Sequence, residues 1–377
     1  MSEAVGSSHT GVPSSGLRIS IVLALMPPEY PAIPGEHFVC RRSPREADKM
    51  PAFSIGPLCA PVPDVRRIAV LRGGGLGDLF FALPAIESLA LAYPGAEITL
   101  IGTSVHRDLL SGRPGPVSEV LVLPDLAEPP AFDLAVQLHG GGRWSNPFLR
   151  QLGARVTVGP NTPDAVALDR PVPFAYFQNE TVRWLEVAGF AGAPVATLEP
   201  SLAVTEADLR EASAALSGLP RPIVTVHPGA TDPRRRWPHF AELITGIGDR
   251  ASVVVVGTES EGALLQGLPG RVLSGLSMSG LVGVLASSAV VVANDSGPRH
   301  LAQAVGTQTV SIYWMGNVIH AGPAGRARHG VHISWTARCP VCGADCTRHD
   351  LGRCEHDASL VADVPVADVL TDTLSRL

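Results

Sequence analysis

Three short segments of the chain hold residues that could do chemistry. The first, Arg72-Gly73-Gly74-Gly75-Leu76-Gly77-Asp78, is a glycine-rich turn ending in a carboxylate. Its spacing departs from the G-x-G-x-x-G turn that receives a dinucleotide, and Asp78 puts negative charge where pyrophosphate would meet a helix start. Phosphate binding is therefore disfavoured at this turn. Gly74, Gly75 and Gly77 let an acceptor come close to the backbone, and Asp78 reads either as a helix cap or as a general base facing a cleft. The second segment, His227-Pro228-Gly229-Ala230-Thr231-Asp232-Pro233-Arg234-Arg235-Arg236-Trp237-Pro238, sets three guanidinium groups beside a glycine turn and a hydroxyl. Guanidinium forks pair with phosphate oxygens, so it reads as a diphosphate clamp or as a solvated basic loop. The third, Asn294-Asp295-Ser296-Gly297-Pro298-Arg299-His300, closes an apolar run and opens a helix with proline near its first position. Free amides at Ser296 and Gly297 suit an anion and Asp295 suits a sugar hydroxyl; the plainer reading is an Asx-type cap.

The elements that must position these segments follow from periodicity. From Arg67 an apolar strand (Ile68 to Leu71), a glycine turn and a helix from Leu79 to Ala92, stopped by Pro94-Gly95, begin a βα alternation. It continues through strands near Ile98 to Gly102, Val120 to Leu123 and Leu134 to Leu138. Helical stretches around Glu180 to Ala188 and Glu206 to Leu216 lead into Gly218-Leu219-Pro220-Arg221-Pro222, which has the composition of a linker. The rhythm then restarts with strands at Ile223 to Val226, Val253 to Val256, Val290 to Ala293 and Thr309 to Tyr313. Two doubly wound units imply a cleft in which ligands bind beyond the strand ends. The predicted organisation is an extension rich in Pro, Gly and Ser over residues 1–63, a first Rossmann-like domain over 64–217 and a second over 218–377.

Composition bounds the function. A chain of 377 residues with 45% hydrophobic and 17% charged residues has the balance of a well-packed two-domain enzyme. A net charge of -6 argues against a nucleic-acid binder, which needs a basic face. The apolar run Ile19 to Met26 is too short to span a bilayer and lacks a signal-peptide cleavage site, so the expected location is cytoplasmic, with at most peripheral contact at the inner face of the membrane. Cys339, Cys342, Cys346 and Cys354, with His349 and His356 nearby, form a C-x2-C-x3-C-x7-C cluster suited to a structural zinc or iron, or to reduced thiols.

Order and spacing of the three segments resemble glycosyltransferase family 9, the heptosyltransferase-like group of GT-B enzymes. The likeness rests on Ile68-Ala69-Val70-Leu71-Arg72 through Gly77-Asp78 with Leu83-Pro84-Ala85, on Pro228-Gly229-Ala230 through Arg236-Trp237-Pro238, and on Asp295-Ser296-Gly297 with His300-Leu301 and Ala304-Val305-Gly306. Asp133 to Gly140, including His139, looks like the segment ahead of the family's acceptor loop. The resemblance implies two Rossmann-like domains facing a central cleft, with the cysteine cluster as a C-terminal insertion. It makes Asp78 the catalytic base and puts Arg235, where the family usually has lysine, on the donor diphosphate. It also puts Thr231, Ser296 and Gly297 on the phosphates and Asp295 on the donor sugar. Arg236 and His300 complete the donor side, and His139 joins the glycines on the acceptor side. Arg299 departs from the small or apolar residue usual there and would add a cation near the phosphates. The implied reaction is an inverting transfer from an ADP-heptose-like donor to a hydroxyl of a glycan, protein or small metabolite, with no cofactor required for chemistry. The rivals are a sugar-nucleotide epimerase, expected to carry acidic residues in place of Pro298-Arg299-His300, and a silent sugar-binding scaffold.

Overall fold

The computed structural model describes residues 55–123, 131–348 and 350–377. The Ile19 to Met26 run, most of the 1–63 extension and His349 lie outside them. The first run of elements is β1 (Arg67–Leu71), α1 (Leu76–Ala92), β2 (Glu97–Gly102), α2 (Ser104–Leu110), β3 (Glu119–Val122), β4 (Leu134–Gln137), α3 (Ser145–Gln151), β5 (Val156–Asn161), β6 (Arg170–Pro173), α4 (Glu180–Phe190) and α5 (Glu206–Ala215). The second is β7 (Ile223–His227), α6 (Phe240–Ile247), β8 (Ser252–Gly257), α7 (Gly262–Leu265), β9 (Arg271–Ser274), α8 (Met278–Ala286), β10 (Val290–Asn294), α9 (Gly297–Ala304), β11 (Gln308–Trp314), α10 (Met315–Ala321), β12 (His329–Ser334) and α11 (Val366–Leu374).

The strands form two parallel sheets, ordered β3-β2-β1-β4-β5-β6 and β12-β11-β10-β7-β8-β9. Helices cover both faces of a parallel sheet, so its central strands are apolar throughout rather than alternating. Ile68 to Leu71 in β1 and all of β7 and β10 are buried accordingly. In register, Ile68 sits between Ile98 and Leu134, and Val292 between Val226 and Val310. Strand order reverses between β1 and β4 in one sheet and between β7 and β10 in the other. Connections leave a switch point in opposite directions, which opens a crevice at the strands' carboxyl ends. The turns after these four strands carry Arg72 to Asp78, His139, His227 to Arg236 and Asp295 to His300.

Two elements differ from the sequence expectation. Helix α1 begins at Leu76, three residues early, because the Asp78 carboxylate accepts the N–H of Gly75 at 2.7 Å and closes the first turn. Helix α5, assigned by its place in the chain to the first domain, packs on α8, and its Ala212 and Leu216 join Ile223, Val254 and Val284 in the second sheet's core. Apolar burial also bridges the halves. Phe80, Leu83 and Ile86 of α1 share one core with Leu301 and Ala302 of α9, each large side chain contributing about 1.5–3 kcal/mol by leaving water.

A buried ion pair bolts the same junction. Arg113, just after α2, reaches Asp208 of α5 with contacts of 2.6 and 3.0 Å, and Ser279 of α8 adds a third bond at 2.5 Å. Burial pushes the Asp208 pKa up, but Arg113, Ser279 and Thr205 outweigh it and hold the carboxyl well below the usual aspartate range. A depressed folded pKa stabilises the protein fully above the unfolded value of about 4 and is lost as pH falls towards the folded one. Arg113→Met leaves a buried, uncompensated carboxylate and is expected to cost about 3–5 kcal/mol, read as a lower Tm at pH 7. The deficit should shrink on acidification, and a pH-independent deficit would contradict the ion pair as its source.

Candidate active site

Arg72 leaves β1 with its side chain 3% exposed and organises the first switch point. Its Nη1 donates to the Leu138 carbonyl after β4 (2.7 Å), Nε to the Asp78 carbonyl (2.8 Å), and Nη2 to the carboxylates of Asp78 (2.9 Å) and Glu180 (3.0 Å). The guanidinium lies over the Trp184 ring at 5.0 Å. One cation thus joins the ends of β1 and β4 to the first turns of α1 and α4. Sequence reasoning gives no role to Arg72 or Glu180, which lie 108 positions apart.

Asp78 combines the two roles left open for it. One oxygen accepts from Gly75 and the other from Arg72, yet the side chain stays 44% exposed, so the carboxylate is both oriented and accessible. Gly74 has φ +92° and no room for a side chain against Asp78, which makes glycine obligatory there. His139 lies edge-on to Trp144 at 5.0 Å, its ring against Gly73. Burial and the nearby Arg72 charge both lower its pKa, keeping it neutral at neutral pH.

On the other side Asn294, buried at the end of β10, accepts from Trp237 N–H (3.0 Å) and donates to the Pro228 carbonyl (2.8 Å), bracing the arginine loop. Asp295 is 4% exposed. Its Oδ1 faces His300 Nε2 at 3.0 Å, and its Oδ2 accepts from Arg235 Nη1 (2.8 Å) and Asn317 Nδ2 (2.9 Å). Burial would raise its pKa, but His300 and Arg235 outweigh that and hold the carboxyl ionised. The three arginines divide their work. Arg235 points to Asp295, Arg234 forks onto Asp232 at 2.7 and 3.1 Å, and Arg236 spends Nε on the Ala230 carbonyl.

Arg299, expected to add a cation near the phosphates, is instead turned inward. It is fully buried, donates to Ser311 Oγ at 3.1 Å and Gln303 Oε1 at 2.6 Å, and lies 5.7 Å from the Tyr313 ring centroid. Its place in the first turn of α9 aims it back at β11. Its Nη1 lies 3.1 Å from His300 Nδ1. Since a guanidinium can only donate, that contact makes Nδ1 an acceptor and leaves the His300 proton on Nε2, facing Asp295. Burial lowers the His300 pKa in the same sense.

The two sides meet. A Cβ on Gly297 would stand 3.2 Å from Leu76 Cβ and 3.5 Å from Gly77 N, and one on Gly77 would stand 3.1 Å from the His300 ring. Beside this contact lies a cavity of about 640 Å³, whose lining includes Thr231, Ser296 and Gly297 together with the apolar Leu76, Met278 and Leu281. His227 Nδ1 bonds Ser296 Oγ at 3.0 Å. Glu261, also lining the cavity, is held ionised at a pKa of about 2 by the nearby His227, whose Nε2 lies 3.7 Å away, and by hydrogen bonds from the N–H and hydroxyl of Thr258, against the effect of burial. The β8–α7 turn, Gly257 to Glu261, was missed in the sequence; a small residue and a carboxylate just past a strand end were the available signal. A second cavity of about 770 Å³ opens beside Asn317 and is lined by Tyr176, Phe177, His320, Trp335 and Cys346.

The model of glycosyltransferase family 9 (heptosyltransferase) matches residues 130–342. The chain belongs to that family. Lipopolysaccharide heptosyltransferase 1 of Pseudomonas aeruginosa is 24% identical over 313 residues, 73% of this chain and 86% of that one. Among solved structures, E. coli ADP-heptose lps heptosyltransferase II superposes with a TM-score of 0.63 at 20% identity, covering 82% of this chain and 98% of that one. A family 9 transferase from Veillonella parvula also gives 0.63 at 19% identity, covering 71% and 86%. These likenesses establish the GT-B fold, two parallel-sheet α/β domains. The family 9 chain is a heptosyltransferase-like glycosyltransferase, which sets aside the epimerase and scaffold readings.

The cysteine-rich insertion departs from the expected four-cysteine set. Ligand atoms of Cys339, Cys342, Cys354 and His356 all lie within 4.8 Å of one another, whereas the Cys346 thiol turns to the Ala344 carbonyl at 3.6 Å. Among the described residues no helix is long and apolar enough to cross a membrane.

Proposed function

We propose that this family 9 enzyme transfers a heptose-like sugar from a nucleoside diphosphate to an acceptor hydroxyl, with inversion and with no divalent cation at the diphosphate. The reading rests on one observation: the Gly77–Asp78 turn of one sheet touches the Gly297–His300 turn of the other. A group held by one turn is then within reach of a group held by the other. The nucleoside occupies the 640 Å³ cavity, its base against Leu76, Met278 and Leu281 and its ribose hydroxyls towards Glu261. The diphosphate lies between Thr231, the Ser296 hydroxyl, the free amides at the start of α9 and Arg235, where helix dipole and guanidinium both favour negative charge. Asp295, with Arg235, Asn317 and His300 fixed around it, orients the donor sugar.

Asp78 takes the proton of the acceptor hydroxyl as its oxygen attacks the anomeric carbon. The bond from that carbon to the phosphate oxygen breaks on the opposite face, and the leaving diphosphate keeps the electron pair. One displacement inverts the configuration. Arg235 and the α9 amides stabilise the charge that builds on the leaving group, the task a metal ion performs in other transferases. ADP-heptose is the donor we favour, because the E. coli and Pseudomonas relatives are heptosyltransferases and the former is named for ADP-heptose. The acceptor, a glycan, protein or small metabolite, enters by the aromatic-lined 770 Å³ cavity next to Asn317. A cytoplasmic location, with at most peripheral membrane contact, is part of the same proposal.

The reading is tested by thermal shift against adenosine, AMP, ADP and UDP, with no added divalent ion. A ligand at a hundred times its Kd stabilises the folded state by about 2.7 kcal/mol, and ADP is expected to raise Tm most. Failure of every nucleoside diphosphate to shift Tm would remove the donor site. Retained anomeric configuration in the product, read by NMR, would remove the single displacement.

A further inference from the structure

The cysteine-rich segment is built as a closed ligand set, and its fourth member is a histidine. Two sulfurs come from the turn Cys339-Pro340-Val341-Cys342-Gly343. Gly343, at φ +71°, folds back so that its N–H donates to the Cys339 carbonyl at 2.9 Å. The thiols of Cys339 and Cys342 stand together with that of Cys354, their sulfurs within 4.8 Å of one another. His356 joins them, its Nδ1 shielded from solvent with no hydrogen-bond partner among the described residues. A buried ring nitrogen left unpaired is costly, and beside three thiols a metal ion satisfies it. Zn–S bonds of about 2.3 Å put tetrahedral ligand sulfurs roughly 3.8 Å apart, so atoms already within 4.8 Å need little movement.

We propose that Cys339, Cys342, Cys354 and His356 hold one zinc ion in a closed Cys3His site, and that Cys346 stays outside it as a free thiol. Three thiolates with one imidazole suit zinc, and four protein ligands leave no open position, so the ion is structural. Binding expels the three thiol protons to solvent. What the ion braces follows from the contacts of the same segment. Arg353, next to the ligand Cys354, pairs with Asp232 at 3.5 Å. Asp232 caps the short helical turn Pro233–Arg235 that carries the donor arginine. Beyond His356, Ser359 Oγ donates to the Arg236 carbonyl and Leu360 N to the Arg234 carbonyl, each at 2.7 Å. Trp237 Nε1 donates to the Val364 carbonyl at 3.0 Å. Closing the metal ring therefore fixes the strap that runs along the arginine loop. This bracing role rests on the proposed donor site; the metal site does not.

The full chain and three variants decide it. Mass-spectrometric metal analysis is expected to find about one zinc per chain in the wild type and in Cys346→Ser, and a loss of at least tenfold in His356→Ala. His356→Cys, which restores a fourth ligand, is expected to recover the ion and shows that loss in the alanine variant is not simple misfolding. Iodoacetamide mapping is expected to modify Cys346 in the native protein and to reach Cys339, Cys342 and Cys354 only after chelation. Loss of the ion from Cys346→Ser with retention in His356→Ala overturns the ligand set in favour of four cysteines. Iron in place of zinc, or no metal after zinc addition, overturns the assignment of the ion. Zinc-depleted protein is expected to bind ADP about tenfold more weakly; equal affinity overturns the bracing role alone. A wild type that takes up zinc but does not bind ADP would defeat the donor site while leaving the metal site intact.

Discussion

Asp78→Asn is expected to lower kcat by about 10²–10⁴-fold, the span of a lost general base, while ADP affinity changes by less than about twofold, since no ground-state donor contact is removed. Asparagine is the informative replacement because it separates the two roles combined in this carboxylate. Its amide oxygen can still accept from Gly75 N–H, so the first turn of α1 survives. What disappears is the negative charge facing Arg72 and the capacity to take a proton. Arg72 keeps Glu180 and the carbonyls of Leu138 and residue 78, so the stability lost should stay near about 1 kcal/mol. Steady-state kinetics with ADP calorimetry read the result. Unchanged turnover would reduce Asp78 to a helix cap, and a fall in kcat matched by a collapse in Tm would trace the effect to folding.

Arg235→Ala is expected to weaken ADP binding by about 10- to 100-fold, the effect of losing a charge-assisted bond of about 1.5–3 kcal/mol, and to leave adenosine binding unchanged. The contrast follows from the layout. The 640 Å³ cavity proposed for the nucleoside is lined by Leu76, Met278 and Leu281, and Arg235 is not part of its lining. In the proposed donor pose the diphosphate alone reaches the guanidinium. Asp295 stays bonded to His300 and Asn317 when Arg235 is removed, so the pocket should persist. Lysine at position 235 is expected to restore part of the affinity, keeping the charge but not the planar fork. Calorimetry showing equal ADP affinity in the alanine variant would release Arg235 from the diphosphate, and a parallel loss for adenosine would point to a disturbed pocket.

The sequence by itself determined the architecture. Apolar strand runs and helix-period segments are local patterns, and their restart after Pro222 announced a second doubly wound unit; glycine turns at strand ends marked where a site had to be. It also brought Asp78, Arg235 and the Asp295–Gly297 turn into one hypothesis, because the order and spacing of their motifs resemble glycosyltransferase family 9. Tertiary structure decided what depends on packing between distant segments. Which way Arg299 points is set by the rotation of α9 against β11, so a residue expected to add a cation near the phosphates fixes the His300 tautomer instead. Arg72 acquires its function only when Glu180 arrives beside it, and Glu261 only when β8 lies alongside β7. Cysteine spacing named four thiols, but the cluster we propose as the ligand set takes in a histidine two residues beyond the last of them, since side chains gather by distance in space and not by order along the chain.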